Sequence, residues 1–259
     1  MDLKQISVIM IVKNAQKTLK ACLESLQEFG EIVLIENDSN DDTLKIAYEF
    51  SKSYKNIKIY QHKFIGFGPL KNLAISYASN DWIFNIDADE LAKKEFLQEL
   101  RKIEPNKEDI IALPRENLYN GEWIKACGWW PDHVMRVFNK THTSFNENLV
   151  HESLILHEDS KKIKLQNGLR HFACEQMSEI ISKMNLYTSY SAQEKFKYNK
   201  KPSATKAILR FIFTFIKDYF FRKGFLYGYK GFVIAILNAN GAFFRYMKLY
   251  DQVCKNEKD

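Results

Sequence analysis

Cysteine is scarce and scattered. Cys22, Cys127, Cys174 and Cys254 stand far apart with no C-x-x-C pair, which argues against a zinc knuckle or a disulfide framework and fits a reducing cytoplasm. Long apolar runs are missing too. None reaches the ~20 residues that a bilayer-spanning helix requires, so an integral membrane topology is not expected. The N-terminal run ISVIMIV is broken at once by Lys13-Asn14, too short for a signal-peptide core with a cleavage site, and reads as a buried strand. There is no Gly/Ser linker and no internal repeat. Acidic residues are short in one region: Lys200 to Asp259 carries 12 Lys and Arg against 4 Asp and Glu, a local balance of +8 in a chain of net charge +6. The basicity therefore belongs to the tail. With 259 residues, 46% of them hydrophobic and 14% aromatic, the chain can bury a sizeable core and is not expected to be disordered.

What is present begins with an alternation of strand and helix patterns: ISVIMIV, NAQKTLKACLESLQEF, EIVLIE, NDDTLKIAYEFSKSY, IKIY, PLKNLAISYAS, WIFNID. That order predicts an α/β fold with a mainly parallel central sheet flanked by helices. Asn14 is placed to cap the first helix, Ser39 with Asp42 the second, and Pro69 suits the first turn of the third. After about residue 105 the alternation fails. IIALPRENLYNGEWI, with an Asn120-Gly121 hairpin signal, VMRVF and LVHESLIL read as further strands in a mixed or antiparallel arrangement, and from about residue 176 the pattern is helical.

In open sheets of this kind ligands settle beyond the carboxyl ends of the strands. Three such places stand out: Lys13-Asn14, the acidic run ENDSNDD from Glu36, and the cluster Asp87 to Glu90. In WIFNIDADE, Trp82, Phe84 and Ile86 share one face of a strand, and Asp87 and Asp89 lie past its last apolar residue. Two crowded carboxylates repel, and a hydrated cation taking oxygens from both would relieve that; a solvated turn is the other reading of the same residues.

Six blocks in order, ISVIMIVKNAQKTLKACLESL, EIVLIENDSNDDT, GFGPLKN, WIFNIDADE, GWWPDHVMRVF and LVHES, resemble family 2 glycosyltransferases, and specifically the enzymes similar to lipopolysaccharide core β-1,4-glucosyltransferases. The resemblance runs over nearly the whole chain. It implies a GT-A fold, a nucleotide-sugar donor, inversion rather than retention of anomeric configuration, and a divalent metal, Mg2+ or Mn2+. It also implies a catalytic domain over residues 1–175, with a nucleotide-sugar half (1–104) and an acceptor half (105–175), followed by a helical appendage over 176–259.

By the same resemblance Asp87 and Asp89 would hold the metal, with Asp87 also reaching the donor. Glu36 occupies the position that reads the donor base, where Asp is more usual, and Lys13, Lys71 and Asn72 join it on the donor side. Glu90 reads as a salt-bridge or helix-start residue, and Gly66 and Gly68 as either a tight turn or an anion-binding helix start. An inverting displacement needs a base for the acceptor hydroxyl. Asp132, in a Trp-rich loop whose partial desolvation would raise its pKa, is the first candidate, and Glu152 is the rival. Trp129 and Trp130 offer flat faces to an acceptor sugar, and Arg136 could pair with Asp132 or face a phosphate. His171 is expected at the metal or donor phosphates, as is His151 with less reason; His62, His133, His142 and His157 read as structural or solvated.

The tail, from Lys206 to Tyr250, combines helical apolar spacing with Lys and Arg and a single acid, Asp218. It reads as helices on an anionic leaflet, or alternatively as helices packed on the catalytic domain or a second subunit, and it does not suit nucleic acid. The expected activity is transfer of a hexose from a UDP sugar to a lipid-linked saccharide at the inner face of the cytoplasmic membrane. The alternatives are a nucleotidyltransferase acting on a sugar phosphate and a non-catalytic membrane-associated sugar-binding protein.

Overall fold

The computed structural model describes residues 1–148, 152–199 and 201–256. After a short 3-10 turn come β1 (Ile6–Val12), α1 (Leu19–Glu24), β2 (Glu31–Glu36), α2 (Thr43–Ser53), β3 (Ile57–Gln61), α3 (Phe67–Tyr77) and β4 (Trp82–Asn85). The four strands are parallel in the order β3-β2-β1-β4. β2 is buried at every residue and β1 at all but one, as strands covered on both faces must be.

The pleat divides these side chains between two cores. Val8, Met10, Val12, Ile32, Leu34, Phe84 and Ile86 face α1, α2 and the following helix α4 (Lys94–Arg101), whereas Ile9, Val33, Ile35 and Ile83 face Leu70, Ala74 and Ile75 of α3. Trp82 packs at the edge of the first core, on the face it shares with Phe84 and Ile86.

Past β4 the chain adds β5 (Glu90–Ala92), β6 (Asp109–Tyr119), β7 (Glu122–Trp123), β8 (His133–Asn139), β9 (Lys161–Lys164) and β10 (Leu169–Cys174). β8 lies antiparallel between β4 and β6, β10 runs antiparallel to β5, and β9 is parallel to β6. The sheet is thus parallel through its first four strands and mixed beyond them.

Several local expectations are corrected. Asn14 does not cap α1, which starts only at Leu19 after Thr18; Asn14 has φ of 50°, and its Oδ1 accepts the Asn40 N–H at 3.0 Å. Asp42 stands at the N-cap of α2 without a side-chain cap bond, Asp41 accepts the Thr43 N–H at 3.0 Å, and Ser39 Oγ accepts the Asn14 N–H. These polar side chains tie the two strand-end loops to each other, a use that local helix signals do not reveal. The described part of LVHESLIL, residues 152–156, is not a sheet strand. Residues 149–151 lie outside the described residues, and beyond them the chain pairs locally, Ile155 N–H to Ser144 O and Asn146 N–H to Ser153 O, with one isolated bridge between Phe145 and Leu154.

The chain falls into two compact units, residues 1–116 with 132–172, and residues 117–131 with 173–259. In the second, β7 returns on the end of β6 through Asn120 (φ 46°) and Gly121 (φ 74°), the left-handed pair a tight hairpin needs. Its helices are α5 (Met177–Lys197), α6 (Ala204–Ile216) and α7 (Gly228–Asn256), with a π turn at Lys217–Phe221 and a 3-10 turn at Gly224–Tyr227 between the last two. Lys248 Nζ on α7 donates to Thr188 Oγ1 and Ser189 Oγ on α5, fixing that pair. Among the described residues no helix is long and apolar enough to cross a membrane.

Candidate active site

β4 delivers the Asp-x-Asp segment to the end of the sheet. Beyond it the backbone closes a reciprocal turn: Asp87 N–H donates to Glu90 Oε2 and Glu90 N–H donates to Asp87 O, both at 3.0 Å. Glu90 is fully buried, so its charge must be compensated. β8 supplies the compensation through Arg136, whose Nη2 lies 2.6 Å from Glu90 Oε1 and 2.6 Å from Asp87 Oδ2. Arg136 thus pairs with Asp87 and Glu90, not with Asp132 as one sequence reading had it.

Arg115 of β6 takes that place. Its Nε donates to Asp132 Oδ2 at 2.8 Å, its backbone N–H donates to Asp132 O, and its Nη1 lies 3.4 Å from Glu90 Oε1. On the other side Lys71, buried on α3, reaches 2.5 Å from Glu152 Oε1 and 3.9 Å from Asp87 Oδ1. The result is one string of alternating charge, Glu152, Lys71, Asp87, Arg136, Glu90, Arg115, Asp132, drawn from α3, β5, β6, β8 and the loops beside them.

The electrostatic consequence falls on Asp87. Burial alone would push its carboxyl up, but Arg136, Lys71 and Arg115 together hold it well below the ordinary carboxylate range. Burial likewise works against the charge on Arg136, and Asp87 and Glu90 outweigh it, raising the guanidinium further above its usual value. Arg136 Nε is buried without a hydrogen-bond partner among the described residues.

Beside the string stands a second pair. Asp89 Oδ2 lies 3.4 Å from His171 Nε2 of β10, and Asp89 O accepts the Phe172 N–H. The described residues hold no cluster of three His, Cys, Asp or Glu side chains suited to a metal. One carboxylate and one imidazole nonetheless fit an ion of the Mg2+ or Mn2+ type, which takes its remaining ligands from water and substrate phosphates, and the imidazole favours manganese.

Of the residues singled out from sequence, Lys71, Asp87, Asp89, Asp132, Glu152 and His171 are brought into this cluster. Lys13 is exposed just past β1. Glu36, at the end of β2, is buried and bends back to accept the Ser39 N–H. Asn72 is committed elsewhere: its Nδ2 donates to Phe145 O and its Oδ1 accepts Phe145 N–H, fastening the loop that leads towards Glu152. Gly66 has φ of 111°, and a Cβ on Gly68 would lie 1.9 Å from Asn146 O, so the glycines serve a tight turn and a close backbone approach. Trp129 and Trp130 belong to the second unit, where Trp130 meets Trp123 edge-on at 5.0 Å and Trp129 packs on that unit's core. His151 lies outside the described residues. Arg115 was not singled out; a lone Arg in the strand pattern ALPRE gives no sign of its partners.

The model of the family described as Glycosyl transferase family 2 matches residues 7–150. The chain is 29% identical to an uncharacterized glycosyltransferase of Rickettsia prowazekii, over 98% of this chain and 90% of that protein. It is 25% identical to the lipopolysaccharide core biosynthesis glycosyltransferase LpsC of Rhizobium meliloti, over 95% and 92% of the two chains. Among solved structures it is similar to residues 1–349 of TarS of S. aureus in complex with UDP, at 17% identity and TM-score 0.49, covering 97% of this chain and 92% of that one. The family match spans more than half of the chain and takes in the parallel strands and the Asp-x-Asp turn, and this protein belongs to glycosyl transferase family 2, a glycosyltransferase with a GT-A type of fold.

Proposed function

We propose that this glycosyltransferase moves a hexose, with inversion, from a UDP sugar onto a lipid-linked oligosaccharide of the lipopolysaccharide core type, with a divalent ion at Asp89 and His171. The observation that carries the reading is the charge string from Glu152 to Asp132, lying at the carboxyl end of β4 beside the Asp89 and His171 pair. The name of LpsC supports the acceptor class, and four free cysteines fit a reducing cytoplasm as the compartment.

Each residue has a part that follows from its placement. Asp89 and His171 would hold the ion, which when bound supplies a Lewis acid for the departing diphosphate. Lys71, a buried cation facing Asp87, adds positive charge where the diphosphate oxygens gather charge as the glycosidic bond breaks. Asp87 is fixed as an anion by Arg136 and orients the donor. Glu36, the last residue of β2, and Lys13, just past β1, take the nucleoside. Asp132 accepts the proton of the incoming hydroxyl: it is paired with Arg115 at 2.8 Å as Glu152 is with Lys71 at 2.5 Å, and its side chain is the more exposed of the two, 26% against 19%.

The test is turnover of UDP hexoses with cell-extracted lipid oligosaccharide, with products read by mass spectrometry. Asp89→Asn is expected to cut turnover by at least ~100-fold with the fold retained, and Asp132→Asn to lower kcat by about 100- to 10,000-fold with little change in donor KM. Full activity in the presence of chelator would defeat the metal assignment, and Glu152→Gln proving the more damaging to kcat would transfer the base to Glu152.

A further inference from the structure

The C-terminal unit carries an apolar surface concentrated in one place. Between Ile208 and Phe232 eleven large apolar side chains are exposed, among them Leu209, Phe213, Phe220, Phe221, Leu226 and Tyr229. On α6 they recur at 208, 209, 212, 213 and 216, the spacing of a single helix face, and Ala207 is the one buried residue of that helix. The stripe continues through the π turn, where Phe221 is 79% exposed, and through the 3-10 turn to the start of α7. The body of α7 behaves differently: Ile234, Ala235, Leu237, Ala239, Ala242 and Leu249 are buried. The pair of surface-lying helices read from the sequence is therefore narrowed to α6 and the elbow that follows it.

Charge selects the occupant. Lys206, Arg210, Arg222 and Lys223 are exposed along this stretch. The sole acid between residues 201 and 230 is Asp218, which is buried and accepts hydrogen bonds from Arg222 and Asn238. The surface thus presents apolar side chains framed by cations with no exposed carboxylate to answer them. A second copy of the chain seated here would set cations against cations, whereas an anionic lipid leaflet offers acyl chains for the phenylalanines and phosphates for the lysines and arginines.

We propose that α6 and the elbow at residues 217–229 form a docking surface for an anionic bilayer leaflet, lying in the interface without crossing it. This inference stands apart from the donor chemistry, since vesicle binding and sugar transfer are measured separately and either can fail alone.

The experiment is flotation of the full chain with phosphatidylethanolamine vesicles containing phosphatidylglycerol, against phosphatidylcholine vesicles, together with light scattering to fix the oligomeric state. The wild type is expected to float with the phosphatidylglycerol vesicles and to be released in part at about 0.5 M salt, where exposed charges are screened beyond ~4 Å. The double variant Phe221→Glu with Leu226→Glu is expected to bind about tenfold less or weaker, because it removes buried apolar area and adds repulsion. The triple variant Lys206→Glu, Arg210→Glu, Lys223→Glu should abolish the preference for phosphatidylglycerol. All these side chains are exposed, so circular dichroism melts should match the wild type. No flotation of the wild type, or flotation unchanged in the double variant, would overturn the proposal. A dimer that the double variant splits would instead assign the face to a second copy and overturn it equally.

Discussion

Arg136 is buried on β8 with Nη2 at 2.6 Å from both Asp87 Oδ2 and Glu90 Oε1, so one guanidinium bridges two neighbouring acids and contributes the shortest of their charge contacts. Removing it leaves the buried Glu90 with Arg115, at 3.4 Å, as its remaining cation. Arg136→Ala is expected to destabilise the fold by about 3–5 kcal/mol in thermal melts. Arg136→Lys keeps the charge but not the forked geometry, and should cost far less stability while lowering turnover by at least ~10-fold; equal losses in both variants would mean that Arg136 is structural alone. The pH dependence follows in sign. Asp87 is depressed in the folded state, so its contribution to stability is present above the ordinary carboxylate range and disappears only as pH falls through a value well below it. An acid limb of activity at mildly acidic pH must then arise from another group. Little of this was legible beforehand. The paired aspartates announce themselves by spacing, and Lys71 and His171 by the family pattern, but the partners of Arg115 and Arg136 depend on which strands become neighbours across 17 to 49 residues of sequence.

Glu31 shows the same logic at the scale of elements. It opens β2, accepts the Ser7 hydroxyl of β1 and the N–H and hydroxyl of Ser79 after α3, and pairs with Lys58 of β3. Burial would raise its carboxyl, yet these donors bring it from 4.5 down to about 2. Its stabilising contribution is therefore present above 4.5 and is lost as pH falls through about 2. Glu31→Gln should destabilise by about 1–3 kcal/mol at neutral pH, with the gap to wild type closing between those two values; a gap constant with pH would contradict the ion-pair account. The elements legible in the sequence are those with strong periodicity: β1 to β4, the three helices between them, and the Asn120-Gly121 hairpin. The segment around 144–156 misled, because LVHESLIL has strand composition but, among the described residues, 153–155 pair with the nearby 144–146, next to a backbone contact that Gly68 permits. The helix starts misled for a related reason: Asn14 and Ser39 have cap chemistry but use it to join loops, and Asp41 accepts from Gln16 N–H across the loops as well as from Thr43 N–H.

Across the whole molecule, the four cysteines fall into two classes. Cys22, Cys127 and Cys174 are buried, and burial pushes the Cys127 thiol up to about 12 and the Cys174 thiol to about 11; Cys254 is exposed. Native protein should give one fast equivalent with a thiol reagent and four after denaturation, and a second fast equivalent would show that one of the buried sites opens. What the sequence could not convey at this scale is that residues 117–131 belong with the C-terminal helices, since membership of a unit is a property of contacts and not of composition. The charge string has a consequence for how ligands load. Four acids and three bases along it nearly cancel, so a bare divalent cation would meet only a feeble field and the two side chains proposed to hold it, Asp89 and His171. Calorimetry should therefore find manganese held weakly alone and far more tightly once UDP contributes its own anionic oxygens, the two entering as a cooperative unit; identical affinity with and without the nucleotide would refute that coupling.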